Sequence, residues 1–367
     1  VPLKITGVPL HTRSLTIVAA LRGDGRWDVR GDIIDLRKCG FVPMTQDVQP
    51  SGIIHHMTIK QVVDPNSLRI DSLEVAQPHV AIDASERTSG ECCRDPSPRL
   101  QALQGEVMDE HFGRKLSSEF GGALGCSHLL TLFFGMAAAI PRAVMHEEEV
   151  ARRHREKRHV GERLFWRSIF IDGFEIEGGE IEISVQLADV HSRPHEMVET
   201  PLERLERQEE VRIVGLVEPP AFRIGRLQAT ERVRVLPNLA DAVWHDRSDE
   251  LEPLLGHPIV PGLSSRVRDL LGARGDRALV RDALLQMAPG HIQVLAAITD
   301  RWFVRTSTET PTGTKSNDTK SNGKAEGPPV GAIGGMINSC YMWREGSPLI
   351  SERQRAMARR QAAFEEE

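Results

Sequence analysis

Shifted along itself by 154 positions, the sequence lays "TRSLTIVAALRGDGRWDVRGDIIDLR" (12–37) over "WRSIFIDGFEIEGGEIEISVQLADVH" (166–191) without a gap. The same shift lays "HHMTIKQVVDPNSLRIDSLEVA" (55–76) over "EEVRIVGLVEPPAFRIGRLQAT" (209–230). It pairs Arg13 with Arg167, Gly25 with Gly179, Asp35 with Asp189, Pro65 with Pro219 and Arg69 with Arg223. Chance likeness does not hold one register over so long a stretch. Solenoid units run to roughly 20 to 50 residues, so a period of 154 reads as two copies of one domain. A helix-rich segment follows the sheet-like one in both copies, and there the offset falls to about 150, as a short deletion would produce.

Within a copy, β-rich runs are separated by turn signals, "RGDGRW" at 22–27 and "DPNS" at 64–67, which gives about four strands. Ser97 before Pro98 has the form of an N-cap followed by proline at the first helical position. The expected fold is α+β and internally duplicated, each copy an antiparallel sheet of about four strands with helices packed on one face. The first copy takes residues 10–145, a charged linker helix 146–163 and a divergent second copy 164–305. Residues 306–329, polar and low in complexity, read as a disordered tether, and 330–367 regain hydrophobicity as a segment that docks back would.

Composition narrows the partners. Lys and Arg total 46 against 52 Asp and Glu, a net charge of -6, with no basic stripe and a single Tyr, which argues against nucleic acid. The apolar run Leu129–Ile140 is short for a membrane span and reads as a core helix. The N-terminal residues lack a secretory signal, and five cysteines, an odd number, suit a reducing compartment, so the cytoplasm is expected. "GALGCS" and "GAIGG" are too short for a phosphate-cradling loop, and nucleotide use is not expected.

Two copies of one fold allow scaffold to be separated from chemistry. Groups present in both, Arg13/Arg167 and Asp35/Asp189, are expected to make shared structural contacts, with Asp35 also beside the chemistry. Reactive groups present in one copy are the better functional candidates. His55 and His56 fall opposite Glu209 and Glu210, while Cys126 and His128 fall opposite "GDRAL" (275–279). By strand alternation His55 shares an inward face with Ile53, Met57, Ile59 and Val63, whereas His56 sits on the wetter face. Cys126 opens the apolar helix, where the macrodipole favours thiolate. The candidate catalytic set is His55, His128, Cys126 and Asp35; His55, Cys93 (or Cys92), Cys126, His128 and Cys340 are the candidate ligands of Zn²⁺ or Fe. A metal-free use of the same groups is Cys126 as nucleophile with His128 or His55 as base.

"IIHHMTIKQVVDPNSLRIDSLEVA", "CC", "GCSHLL" and "INSCY", in that order, resemble the bacterial domain of unknown function 2889 family. The resemblance covers the first copy and the tail, and implies a site at His55, Cys93 (or Cys92), Cys126, His128 and Cys340. Ser127 stands where the family's pattern has threonine, His56 where it has an acid, and the second copy separates Cys340 from the rest. The order of elements is also similar to that of iron–sulfur scaffold proteins of the NifU type. The resemblance also implies a setting in bacterial breakdown of aromatic compounds, and with it a small aromatic substrate. The expected function is therefore a metal-assisted lyase cleaving a C–C bond in an aromatic, lignin-like dimer. The alternative is a non-catalytic metal or iron–sulfur carrier, and self-association into a homo-oligomer is compatible with either.

Overall fold

A computed structural model of the chain describes residues 7–44, 47–154, 157–176, 179–198, 200–219, 221–235, 242–272, 275, 277–298, 337–352 and 354–355. The tether expected at 306–329 lies outside the described residues. Strict alternation makes β1 (Val8–Leu21) and β2 (Trp27–Arg37) a hairpin, each with one face buried. The hairpin closes through Arg22 N–H donating to Arg26 O at 2.8 Å, and Gly25, at φ +80°, supplies the left-handed turn residue. β5 (Gly52–Asp64) and β6 (Arg69–His79) follow, after a small ribbon of β3 (Val42–Met44) and β4 (Asp47–Gln49). The second half supplies β7 (Arg163–Glu175), β8 (Ile181–Ser192), β9 (Leu205–Glu218), β10 (Arg223–Val235) and the short β11 (His245–Asp246).

Here the structure corrects the expectation of separate sheets, because the strands form one continuous antiparallel sheet of nine, in the order β11-β10-β9-β8-β7-β1-β2-β5-β6. The first strands of the two halves pair with each other, which removes the two exposed edges that separate sheets would leave. Leu15 lies opposite Ile169, 154 residues later, so an approximate twofold passes between them. The registers recur at that same shift: Arg13 opposite Asp35 and Arg167 opposite Asp189, Asp35 opposite His55 and Asp189 opposite Glu209, Val63 opposite Ile70 and Val217 opposite Ile224.

The helical layer repeats too, at a shift of 151: 3₁₀ helices Ser97–Leu103 and Ser248–Leu254, then α1 (Phe112–Phe120) and α3 (Leu263–Leu271). α2 (Ser127–Arg153) is continuous, whereas its counterpart is broken into α4 (Ala278–Leu284) and α5 (Met287–Ala297). Both halves' helices pack on the same face of the sheet. α2 touches β7 and β8 of the other half as well as β1, β2 and β5, and α5 reaches back to β1.

Three local expectations change. Ser97 is the first residue of its 3₁₀ helix, not the cap; Pro96 holds the cap position and Ser97 Oγ donates to Arg94 O at 2.8 Å. The charged stretch at 146–163 is not a separate linker helix, since its first turns continue α2 to Arg153. Ile53 does not share the face of His55: a β-bulge between them leaves Ile53 52% exposed and buries Ile54. α2 is long and apolar enough by composition to cross a membrane, but 56% of its apolar window is buried, as for a core helix.

α5 carries His291, buried with neither ring nitrogen hydrogen-bonded, its ring 5.2 Å from that of Phe222. Burial pushes its pKa down to about 3. The unfolded chain therefore gains protons near pH 6.5 that the folded chain refuses, so stability is lost as pH falls below that value. Replacing His291 by Leu is expected to stabilise by about 1 kcal/mol at pH 7, and the advantage grows by about 2 kcal/mol at pH 5. Urea midpoints at the two pH values read this; an advantage that does not widen at pH 5 contradicts it.

Candidate metal centre

The pleat of β1 and β2 sends Arg13 and Asp35 to the same buried face, directly opposite in register. Arg13 Nε donates to Asp35 Oδ1 at 2.8 Å and Nη2 to Oδ2 at 3.0 Å, a two-pronged pair beneath the helices. Arg167 grips Asp189 in the same way at 2.6 and 2.7 Å. Beyond that shared scaffold the halves differ. Asp35 Oδ2 lies 3.2 Å from His55 Nδ1 and 3.3 Å from His128 Nε2, and Oδ1 is 3.5 Å from His11 Nε2. The His55 and His128 rings stack with centroids 3.7 Å apart. In the second half Glu209 replaces His55, Leu279 aligns with His128, and Arg167 reaches Asp282 at 3.0 Å instead.

Electrostatics follow from burial. Desolvation pushes the Asp35 pKa up, but the Arg13 guanidinium, the His55 hydrogen bond and His128 outweigh it and hold the carboxyl well below its usual range. Burial lowers His55 against the pull of Asp35, and burial together with His55 takes His128 well below the ordinary imidazole value. Both rings are thus neutral, the form with a lone pair to give a metal.

Asp35, His55 and His128 bring ligand atoms within 4.8 Å of one another. The separations are informative, since bonds of 2.0–2.2 Å in a tetrahedral zinc site put nitrogen and oxygen ligands about 3.4 Å apart. The two observed edges, 3.2 and 3.3 Å, match that figure. Arg13 occupies one lone-pair direction of Oδ2 and His55 Nδ1 faces the other, where a cation would take the place of the proton they share.

The thiols stand differently. Cys93, Cys126 and Cys340 line one pocket with His55 and His128, a cavity of about 90 Å³. Cys126 Sγ is 3.9 Å from His128 Nδ1 and 3.8 Å from Met57 Sδ. Among the described residues, however, no thiol joins a convergent group of three ligands. Cys126 occupies the cap position of α2, where the dipole was expected to favour thiolate. Burial wins: it pushes the thiol up to about 12 despite the backbone N–H groups of Leu129 and His128. Cys93 is raised well above its usual value by burial and by Cys126 and Cys340, and burial raises Cys340. These are neutral thiols on a pocket wall. Cys92 faces elsewhere, its Sγ 3.1 Å from Asp95 Oδ1. His56 is on the outer face, 3.9 Å from Asp32.

The tail reaches the first half. Tyr341 N–H donates to Gly125 O at 2.8 Å, next to Cys126, and Arg344 pairs with Glu91. Ile82, Met342 and Leu349 form the apolar contact that seats it.

The sequence reading missed His11 and Gln293. His11 carried a usable signal, being two positions before Arg13 and hence on the same strand face. Gln293, whose Nε2 is 3.2 Å from His128 Nε2, carried none, because α5 belongs to the other half. A second convergent group joins His191 and Glu209 of the second half with His146, which α2 carries across from the first. There Arg142 and Arg207 already bind the two Glu209 oxygens at 3.0 and 2.9 Å, so positive charge is supplied by the protein itself.

No curated protein and no solved structure matches the chain. The stretch that supplies Arg13, Asp35, His55, Cys93, Cys126 and His128, residues 11–141, matches the family model described as protein of unknown function (DUF2889).

Proposed function

We propose that the chain is a metal-dependent small-molecule lyase whose single working centre is formed by Asp35, His55 and His128. The halves descend from one duplicated domain, of which only the first kept the centre. The observation that carries this reading is the pair of edges from one Asp35 oxygen to two neutral imidazoles, at 3.2 and 3.3 Å. A carboxylate and two histidines leave positions open for a substrate, as three-ligand catalytic sites do. When bound, a cation such as Zn²⁺ or Fe²⁺ would polarise a substrate oxygen.

The chain's own groups do the rest. Arg13 keeps Asp35 ionised and aligned, while Ile54, Ile82 and Met342 give the cavity part of its apolar wall. An apolar cavity known to admit benzene measures roughly 150 Å³, so a cavity of about 90 Å³ would take a fragment smaller than an aryl ring, with an aryl body at its rim beside Tyr341 and Trp343. Such a fit favours loss of a small aldehyde from a hydroxylated aromatic compound. The buried, tail-covered site suits a resident ion better than a cargo that must leave.

Metal analysis of anaerobically purified protein tests the reading, with about one equivalent of Zn or Fe per chain expected. A content below roughly 0.2 equivalents that added metal cannot raise would sink it. An ion that passes readily to an external chelator and on to an acceptor protein would favour the carrier instead.

A further inference from the structure

We propose that Gln293, supplied by the second half, completes the metal centre of the first half as a fourth, displaceable donor. This rests on the reading that Asp35, His55 and His128 hold a cation. α5 crosses the approximate twofold and forms one wall of the pocket through Ile292, Gln293 and Ala296. The Gln293 amide lies 3.2 Å from His128 Nε2, the same kind of separation that His128 Nε2 makes with Asp35 Oδ2 at 3.3 Å. Rotation about the last side-chain torsion exchanges the two ends of an amide, so the carbonyl oxygen can take the position that faces the centre. A neutral amide oxygen is a weaker donor than imidazole or carboxylate, and a substrate oxygen can displace it.

The second half supplies an internal comparison. Gln293 and Arg142 correspond in the helical repeat, 151 residues apart, the shift that relates α1 to α3. Arg142, on α2, likewise crosses to the opposite half, where it binds Glu209, the counterpart of His55, at 3.0 Å. One position thus carries a fixed cation in the half whose cluster is closed by arginines. In the other half it carries a neutral oxygen donor.

The test is a charge series at Gln293 in the full-length, metal-stripped chain, with Zn²⁺ and Co²⁺ affinities measured by calorimetry and chelator competition. Gln293→Glu is expected to raise affinity, Gln293→Leu to lower it about tenfold, and Gln293→Arg to lower it more than about hundredfold. Arg266→Gln, an exposed position of α3 that does not line the pocket, is expected to leave affinity unchanged. Circular dichroism and urea midpoints check that each variant folds. Coulomb interaction alone would also order the charged variants, but it would leave Gln293→Leu at wild-type affinity, so the tenfold loss in that neutral variant is the mark of a donor. If wild type binds metal and the three variants bind equally, this inference fails and the proposed centre stands. If wild type binds none, both fall.

Discussion

Replacement of Asp35 by alanine is expected to destabilise the metal-free protein by about 3–5 kcal/mol, because it leaves a guanidinium buried without its counter-charge. Arg13 is 2% exposed and Asp35 wholly buried, so water cannot take the place of the carboxylate. The matching change in the other half, Asp189→Ala, should cost less, since Arg167 keeps its contact with Asp282 at 3.0 Å. Removing both members of the first pair, as Arg13→Leu with Asp35→Ala, should recover part of the loss. Urea unfolding of the three variants in chelator measures this. A cost below about 1 kcal/mol for Asp35→Ala, or equal costs in the two halves, would show that Asp35 is not the electrostatic anchor of the site.

The second large effect concerns which atoms would hold a metal at the proposed centre. His128→Gln and His55→Ala should each lower Zn²⁺ affinity by more than about hundredfold, beyond the 10–100-fold typical of removing an outer partner. Cys126→Ser should change it by less than about tenfold. The reason is geometric: Asp35, His55 and His128 converge within 4.8 Å, while Cys126 stands 3.9 Å from the far nitrogen of His128 and burial keeps it protonated. Competition with a coloured chelator reads the affinities. A Co²⁺ complex of wild type with a thiolate charge-transfer band that Cys126→Ser abolishes would place the thiol at the centre and overturn this assignment. The Glu209→Gln variant is expected to leave metal content unchanged, because Arg142 and Arg207 already neutralise that carboxylate.

Much of the site was readable along the chain because strand periodicity is a local rule. Alternation placed His55 inward and His56 outward, and the structure finds the former buried and the latter half-exposed on the other face. Comparison of the halves singled out His55, Cys126 and His128, which line one pocket together with Cys93 and Cys340. The same comparison assigned Arg13 and Asp35 to scaffold, and their ladder position and two-pronged pairing do recur as Arg167 and Asp189. Asp35 was also named among the candidate catalytic groups, but that two imidazoles from β5 and α2 meet one of its oxygens could be seen only in the distances.

By itself the sequence determined the α+β class, the four main strands of each half, the fixed shift that relates them, and most of the residue types on the buried face of the first half. These follow from periodicity and from likeness at one fixed shift, both of which act over neighbouring residues. Only the tertiary structure decided that the two halves share a single sheet, that Gln293 crosses to the site, and that burial outweighs the helix dipole at Cys126. Those outcomes depend on edge pairing, distance and desolvation, which arise between segments far apart in the chain and leave no local trace in it.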